Sequence, residues 1–406
     1  MTRRSILIAV LLASATRPVL GADVVDDTDA RVLCARGLMA LHAGELTGAR
    51  RMLEQCLAAD EAAGAGPGSA DRVARRLSTL NVLAAMALAG GDTSASEAIL
   101  RRGLPLTAHA PAAADIEVAE TLSGLARLLA ERGALRDAQA LASRALKLFE
   151  RTHGPRRIER VEALVALATV DAMRGNADAA EGRFRQARRI AEQEGAPGSV
   201  RSLAAANLGA FRIAQGRYPE AESLLEQALE LGTEAVGTQH PALVPIMQVL
   251  AECYRRRDRI DEAAALYERA LGIVGVAYGP RTAPAVALLA GLAAVQERRD
   301  EPGRAEALHR DAIAIAEETL PARDVLRADV LGGLAAFYDR RGQAGAAEHL
   351  YVRALGVLDQ VGERDARRSA VLQGLARVYA GQGRRAEAAR IQRELADKGV
   401  SLFQER

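Results

Sequence analysis

The sequence has few aromatic residues and almost no lysine. Its 406 residues include no tryptophan, and aromatic side chains make up only 3% of the chain. The two lysines are Lys147 and Lys398, so a lysine-based active site has almost no candidates. The net charge is only +2, from 54 basic and 52 acidic residues, and such a balance creates no overall field for DNA, RNA or an anionic membrane. We therefore expect no nucleic-acid partner.

The sequence also lacks the motifs of common enzymes and metal sites. It contains no His-Glu-x-x-His, no Gly-x-x-x-x-Gly-Lys, no Gly-x-Ser-x-Gly and no Cys-x-x-Cys. The six histidines are scattered, and a structural or solvated role suits each better than metal ligation. We therefore predict no catalytic residue, no metal site and no cofactor.

The N-terminal segment is typical of an export signal. Arg3 and Arg4 precede an apolar run over residues 6–15, and small residues then lead to Ala22. The apolar run is too short to span a bilayer, and no second such run follows, so we predict no integral membrane span in the mature chain. Cleavage near Ala22 would release a periplasmic or secreted protein. Export could use the general or the twin-arginine route, and the alternative is an uncleaved N-terminal helix or a misassigned start.

What the sequence has in abundance is alanine, leucine, arginine and glutamate, arranged in a repeat. Alanine-rich composition favours helices that pack closely through small side chains. Glycine or aspartate residues recur at spacings of 41 or 42 residues, at Gly133, Gly175, Gly216, Asp258, Asp300, Gly342 and Gly383. We call these the turn residues. An alanine follows each by five residues, and a leucine with a small residue after it precedes each by eight.

This pattern predicts a repeated unit of helix, short turn and helix. The small residues mark where two helix axes approach closely, and the leucine fills the space between them. Glycine or aspartate at the turn suits a backbone conformation that a Cβ atom disfavours. Because one such unit cannot bury its own apolar face, the units must stack on one another. Two less regular units, with turns at Gly44 and Gly91, precede the seven regular ones.

The repeat resembles the tetratricopeptide (TPR) family. The leucine-small pair, the tyrosines three residues later at Tyr254, Tyr338 and Tyr379, and the segment 216–222 carry this resemblance. A period longer than the usual ~34 residues, and the segment Gly-Thr-Gln-His-Pro over 237–241, resemble the kinesin-light-chain type. The resemblance implies an all-α fold, a right-handed α-solenoid of about nine TPR units in one superhelical array. The predicted organisation is a signal peptide over 1–22, two divergent units over 23–113, seven regular units over 114–398 and a tail over 399–406.

The resemblance also implies a binding surface on the concave side, which the first helix of each unit lines. Extended peptides or partner helices are the expected ligands there. Arg256, Arg298 and Arg340 recur every 42 residues and predict a row of guanidinium groups suited to an acidic peptide or a free C-terminus. Alternatively, these arginines are placed by the helix dipole alone. Further residues predicted on this face are Asn207, Gln248, Glu252, Arg255, Gln373 and Arg377.

The three cysteines leave two interpretations open. Cys34 and Cys56 lie ten residues before and twelve residues after Gly44, so an antiparallel helix pair would place them at similar height. They could form a disulfide in an exported protein, or remain two small buried residues of adjacent helices. Cys253 has no candidate partner and is expected to be buried.

Together these observations favour a non-enzymatic scaffold that binds a protein or peptide in its groove, in the bacterial envelope. Two alternatives stay open. One is a small-ligand receptor or an enzyme with its site in the groove. The other is a cytoplasmic TPR regulator, which would require the N-terminal segment to remain attached.

Overall fold

The computed structural model describes residues 30–62, 69–108, 110–151, 160–193, 195–361 and 366–397. The predicted signal peptide and the predicted tail lie outside the described residues. Within the described ranges the regular structure comprises 18 α-helices and two short 3-10 turns, with no strand. The prediction of an all-α fold is confirmed. None of the helices in these ranges has the length and apolar character that a bilayer-spanning segment requires.

The chain divides into two compact units, residues 1–259 and residues 260–406. The described part of unit 1 contains the helices α1 Ala30–His42, α2 Leu46–Ala62, α3 Ser69–Ala89, α4 Thr93–Ala108, α5 Asp115–Glu131, α6 Leu135–Arg151, α7 Arg160–Met173, α8 Ala177–Gln193, α9 Gly198–Ala214, α10 Tyr218–Val236 and α11 Val244–Arg256. Odd-numbered helices are the first helices of their repeats, and even-numbered helices are the second.

The described part of unit 2 continues the same alternation. Its helices are α12 Ile260–Tyr278, α13 Ala283–Arg298, α14 Pro302–Thr319, α15 Val325–Arg340, α16 Ala344–Val361, α17 Ala366–Gly381 and α18 Arg385–Asp397. Inside each unit the two helices of a repeat pack on each other, and the next repeat packs on them. The apolar core therefore runs through the stacked helices of each unit.

The turn residues adopt the conformation that the sequence predicts. The φ angle is positive at all of them, from 72° to 82° at the glycines from Gly44 to Gly383, and it is 64° at Asp258 and 58° at Asp300. At the first turn the Gly44 amide donates to the Leu41 carbonyl and the Glu45 amide donates to the Ala40 carbonyl. These two bonds satisfy carbonyls that a helix end leaves free. The prediction that the turn needs a left-handed residue is confirmed.

The small residues occupy the positions where helices meet. The alanines five residues after the turns are fully buried in seven of the repeats, from Ala49 to Ala347, and Ala388 is nearly so. A Cβ atom at Gly209 would lie 2.8 Å from Cγ of Leu225 in the partner helix. Side chains larger than these would force the two helices of a repeat apart.

The cysteines lie where the helices of the first described repeat meet. A disulfide joins Cys34 of α1 to Cys56 of α2, and their Cα atoms are 5.4 Å apart. The hydroxyl of Thr79 in α3 lies 3.1 Å from Sγ of Cys34. Cys253 is a buried free thiol, as expected, and burial together with the charge of Glu222 raises its pKa to about 12.

Candidate functional site

A pocket of about 80 Å³ lies in unit 1 on the side formed by the first helices. Helices α1, α3, α5, α7 and α9 contribute most of its wall, and α4 adds two residues. It is lined by Leu38, Ser78, Asn81, Val82, Ala84, Ala85, Ser96, Leu100, Glu120, Ser123, Gly124, Arg127, Glu162, Val165, Ala166, Leu203 and Asn207. The face that the family resemblance assigns to partner binding therefore carries a cavity.

The lining residues occupy recurring places in the repeat. Counted back from each turn residue, most of them fall at positions −13, −10, −9 and −6 of a first helix. Residues at this spacing lie on one side of a helix. We call these four positions the inner face. In the pocket they hold Leu38 of α1, Ser78, Asn81, Val82 and Ala85 of α3, Glu120, Ser123, Gly124 and Arg127 of α5, Glu162, Val165 and Ala166 of α7, and Leu203 and Asn207 of α9.

Small side chains create the space. Ala84, Ala85, Gly124 and Ala166 all line the pocket, and none extends beyond a methyl group. A Cβ atom at Gly124 would lie 3.1 Å from Cδ1 of Leu100, so that position is already tightly packed on one side. The cavity is thus bounded by close-packed helices and is not a loose gap between them.

Two buried polar side chains of the lining lack hydrogen-bond partners among the described residues. Ser123 is 4% exposed, and its hydroxyl has no partner. Asn207 is 1% exposed; its Nδ2 donates to the Leu203 carbonyl at 2.9 Å, but its Oδ1 has no partner. Leaving a buried polar atom unpaired costs about 1–3 kcal/mol. A ligand that supplied the missing hydrogen bonds would recover part of that cost.

A hydrogen-bond network lies beside Glu120, one of the two carboxylates in the lining of the pocket. Asn81 Nδ2 donates to the Glu117 carbonyl at 3.0 Å and lies 3.4 Å from Oε2 of Glu120. Asn81 Oδ1 accepts from the hydroxyl of Thr121 at 2.7 Å. Because both ends of the Asn81 amide are engaged, the amide group is held in one orientation beside Glu120.

Two arginines of unit 1 show contrasting electrostatics. Burial lowers the pKa of Arg127, although the carboxylates of Glu131 and Glu162 act in the opposite direction.

Arg212, by comparison, donates to both carboxylate oxygens of Glu181, at 2.8 and 2.9 Å. These bonds raise the pKa of Arg212 and lower the pKa of Glu181 to about 2.

The residues predicted on the inner face divide between pocket and non-pocket positions. Asn207 lines the pocket. Gln248 and Glu252 occupy inner-face positions of α11 but lie outside the lining, and Gln373 and Arg377 occupy inner-face positions of α17 in unit 2. Arg255 lies at position −3 and the three arginines of the row lie at position −2, so these residues are outside the inner-face register.

The predicted arginine row makes internal ion pairs. Glu252 accepts from Nε of both Arg255 and Arg256 at 2.8 Å, and these two arginines keep its pKa low despite burial. Arg340 forms an ion pair with Glu297, and Nε of Arg377 lies 3.4 Å from Oδ2 of Asp339. Arg298 also has an interaction within the protein. An acidic partner at this row stays a prediction, and an internal partner would have to be displaced to bind it.

Sequence reasoning missed Ser123, Glu120, Arg127 and Glu162. The signal that could have found them is the inner-face register itself, read in the early repeats where it carries charged residues. No group of three or more His, Cys, Asp or Glu residues in the described ranges is placed to hold a metal ion.

Comparison with known proteins identifies the repeat. A tetratricopeptide repeat model matches residues 117–193, 201–274 and 250–318, and a second tetratricopeptide repeat model matches residues 371–394. Together they cover just over half of the chain. No curated protein matches the sequence.

Several solved structures are similar to the chain. A Rap protein complexed with Competence and Sporulation Factor is 16% identical, with a TM-score of 0.61 over 84% of this chain and 90% of that one. BtubC (BKLC) from P. vanneervenii is 25% identical, with a TM-score of 0.45 over 57% of this chain and 94% of that one.

A putative kinesin light chain protein of Podosopora anserina with TPR-like repeats is 23% identical, with a TM-score of 0.41 over 52% of this chain and 99% of that one. Similar structures thus include kinesin-light-chain proteins, the type that the sequence resembles. The helix pairs, their turn residues and the family matches agree, and the chain belongs to the tetratricopeptide repeat family.

Proposed function

We propose that this TPR protein binds a segment of a partner protein, and that the pocket in unit 1 receives one side chain of that segment. The observation that carries the proposal is the pair of buried, unpartnered polar groups on Ser123 and Asn207, which stand on inner-face positions of different repeats. Groups of this kind suit a ligand that donates and accepts hydrogen bonds inside the pocket.

The size of the cavity supports a side chain as its occupant. Small-molecule sites generally have volumes of about 300–1,000 Å³, whereas this pocket has about 80 Å³. A peptide whose main chain lies along the inner face could insert one side chain and leave the rest outside. This argument favours the peptide-binding proposal over a small-ligand receptor or an enzyme with a site in the groove.

The fold gives further support. A Rap protein that shares it has been solved with Competence and Sporulation Factor bound. TPR arrays stack their repeats into extended surfaces, and these suit elongated partners better than compact ones. We propose binding, and not catalysis, as the role of this surface.

We also propose that the mature protein acts outside the cytoplasm, in the periplasm or after secretion. The arguments are the signal-like pattern of residues 1–22 and the Cys34–Cys56 disulfide, which persists best in an oxidising compartment. Mass spectrometry of the protein purified from its source should find an N-terminus at Asp23 and the peptide pair linked through Cys34 and Cys56. An intact Met1 with two free thiols would contradict the proposed location.

A substitution that fills the pocket tests the proposed function. Ala85→Leu would place a larger side chain at position −6 of α3, in the lining. Ala336→Leu makes the same change at position −6 of α15 in unit 2 and is the matched control. Peptides selected from a library of short random sequences on the unaltered chain should bind Ala336→Leu normally and Ala85→Leu at least about ten-fold more weakly, a loss of about 1.4 kcal/mol.

Circular dichroism would verify that both variants keep their helices. Equal binding of the selected peptides to Ala85→Leu and to the unaltered chain would show that the pocket is not the binding site. Failure to select any peptide would favour the small-ligand or enzyme alternative.

A further inference from the structure

We propose that the pocket selects an uncharged side chain of the partner that donates a hydrogen bond, either a hydroxyl of Ser or Thr or a carboxamide of Asn or Gln. This inference rests on the proposed function, that the pocket receives a side chain of a bound peptide. It goes beyond that function because it names the chemistry of the side chain, and it excludes both acidic and basic residues from the pocket.

The charged groups of the lining are already engaged within the protein. Oε2 of Glu120 lies 3.4 Å from Nδ2 of Asn81, and Glu120 and Glu162 both have further interactions inside the chain. Arg127 is attracted by the carboxylates of Glu131 and Glu162. A charged ligand group would have to give up its water and compete with these interactions. None of the three charged groups of the lining is therefore a free countercharge for a ligand.

Most of the remaining wall is apolar. Five aliphatic side chains line the pocket, together with three alanines and a glycine, and the five belong to Leu38, Val82, Leu100, Val165 and Leu203. Apolar walls favour a ligand group whose carbon atoms are removed from water. The volume of about 80 Å³ favours Ser, Thr, Asn and Gln over the rings of Tyr and Trp. The wall thus suits a short uncharged side chain.

The orientation of Asn207 decides which hydrogen-bonding group the ligand must bring. Nδ2 of Asn207 donates to the Leu203 carbonyl at 2.9 Å. Because a carbonyl oxygen can only accept, this bond fixes which end of the amide is used and leaves Oδ1 as the other end. Oδ1 is buried and has no partner among the described residues. An atom that only accepts is satisfied by a donor, so the side chain in the pocket must carry an O–H or N–H group.

Ser123 adds a second neutral group to the lining. Its hydroxyl is buried, and it stands at position −10 of α5, whereas Asn207 stands at position −9 of α9. A hydroxyl can donate as well as accept, so it can bond either the side chain in the pocket or the peptide main chain beside it. Both of these groups, which lack partners in the described part of the chain, are uncharged. They match a neutral ligand group better than a charged one.

The test selects short random peptides on the full chain and sequences those that bind. We expect one peptide position to be enriched in Ser and Thr or in Asn and Gln, and depleted of Asp, Glu, Lys and Arg. In a synthetic peptide, replacement of that residue by a non-donating residue of similar size, Thr by Val or Gln by Met, should weaken binding about five-fold. Replacement by Glu or by Lys should weaken it at least about ten-fold. This readout needs no protein variant, so it does not depend on how any variant folds.

A pair of protein variants tests the part that Asn207 has in this selection. Asn207→Leu keeps the size of the side chain and removes the acceptor, so it should bind the donating peptide and its non-donating form equally. The matched control is Gln296→Met in α13 of unit 2, where an equally buried amide also has an oxygen without a partner among the described residues. This control should keep the preference of the unaltered chain for the donating peptide.

The outcomes separate this inference from the proposed function. Selected peptides that fail on Ala85→Leu but show no preference for a neutral donor, or that carry a charged residue at the enriched position, would overturn this inference alone. Selected peptides that bind Ala85→Leu normally would overturn the pocket-binding function itself. A preference that persists in Asn207→Leu, or that Gln296→Met loses as well, would overturn the assignment of the acceptor to Asn207.

Discussion

The inner face of the first helices has different chemistry in the two units. In unit 1 it carries Glu120, Arg127, Glu162 and Asn207 around a pocket. In unit 2 the same positions of α13 are Ala287, Ala290, Gly291 and Ala294, and those of α15 are Asp329, Gly332, Gly333 and Ala336. The turns have the same backbone conformation in both units, whereas the side chains at the inner-face positions differ.

Aromatic rings explain the small residues of unit 2. Tyr267, His309 and Tyr351 recur at intervals of 42 residues on second helices, and all three are buried. Each ring packs against a glycine at position −9 of the next first helix, at Gly291, Gly333 and Gly374. In α3, α5, α7 and α9 of unit 1 the corresponding residues are Val82, Gly124, Ala166 and Asn207, and these four residues line the pocket. One position of the repeat can therefore either pack against a ring or line a pocket.

The largest expected effect on stability comes from substitutions that break the contact between a glycine and a ring in unit 2. A Cβ atom at Gly291 would overlap the ring of Tyr267, and one at Gly374 would overlap the ring of Tyr351. We expect Gly291→Ala or Gly374→Ala to lower the free energy of unfolding by about 2–3 kcal/mol, because the ring has to move. Urea unfolding followed by circular dichroism measures this. Gly272→Ala is the control, since a Cβ there meets nothing within 4 Å and should stabilise α12 by about 0.5–1 kcal/mol.

A smaller effect of opposite sign is expected in the pocket of unit 1. Ser123→Ala removes a buried hydroxyl without a partner and should raise the free energy of unfolding by about 1 kcal/mol while weakening peptide binding. Ser202 is an equally buried serine of unit 1 whose hydroxyl donates to the Ala228 carbonyl at 2.5 Å. Ser202→Ala should therefore lower the free energy of unfolding by about 1 kcal/mol. Losses of equal size at both positions would show that Ser123 has a structural partner.

The turn residues allow a third and smaller test. Asp300 has a φ of 58°, a conformation that costs energy for any residue with a Cβ atom. Asp300→Gly should raise the free energy of unfolding by about 0.5 kcal/mol, because the relief exceeds the extra entropy of glycine in the unfolded chain. Gly342→Ala, at the next turn, should lower it by about 1 kcal/mol. Thermal unfolding measures the stability of both variants. An Asp300→Gly variant less stable than the unaltered chain would contradict this account.

The smallest expected effect is a pH dependence of stability that comes from His240, a buried histidine of unit 1. His240 is buried, and its Nδ1 accepts from the Ala242 amide at 3.2 Å. Burial lowers the pKa of His240, and the nearby charge of His42 lowers it further. An interaction with the backbone of Leu41 raises the pKa, but the net shift is downward. The unfolded chain therefore takes up a proton at a higher pH than the folded chain does, and stability should fall as the pH drops below about 6.5.

The variant His240→Asn isolates that titration. Its side-chain oxygen can accept from the Ala242 amide in place of Nδ1, but it cannot be protonated in this range. Near pH 7.5 the two proteins should be about equally stable, and between pH 6.5 and 5 the variant should lose less stability in thermal unfolding. Parallel curves would show that His240 does not couple folding to pH.

The features that the sequence could predict are those that act locally in every repeat. The positive φ at Gly133 or Asp258 and the burial of Ala138 or Ala180 each satisfy a constraint within one helix pair, and repetition makes such constraints visible. Of the residues that the sequence places on the partner-binding face, Asn207 lines the pocket, and the role of that face in binding stays a prediction.

The pocket itself was harder to predict. Its existence depends on the summed volumes of side chains from several first helices, and no single repeat reveals that sum. The pairing of Tyr267 with Gly291 could not be predicted for a related reason, because it joins two repeats, whereas the sequence pattern relates positions within one repeat. The arginine row was visible by spacing, but spacing cannot show that Arg256 and Arg340 already have acidic partners in the folded protein.

The turn residues have a consequence for how such a protein can change over time. The same left-handed backbone conformation follows the first helix at every turn, and the turn residues themselves lie outside positions −13, −10, −9 and −6. The conformation of the turn and the lining of the pocket thus depend on different positions of the repeat. Substitutions at inner-face positions that pack against no ring can change the chemistry of the pocket in descendants of this gene, while the turns are inherited unchanged.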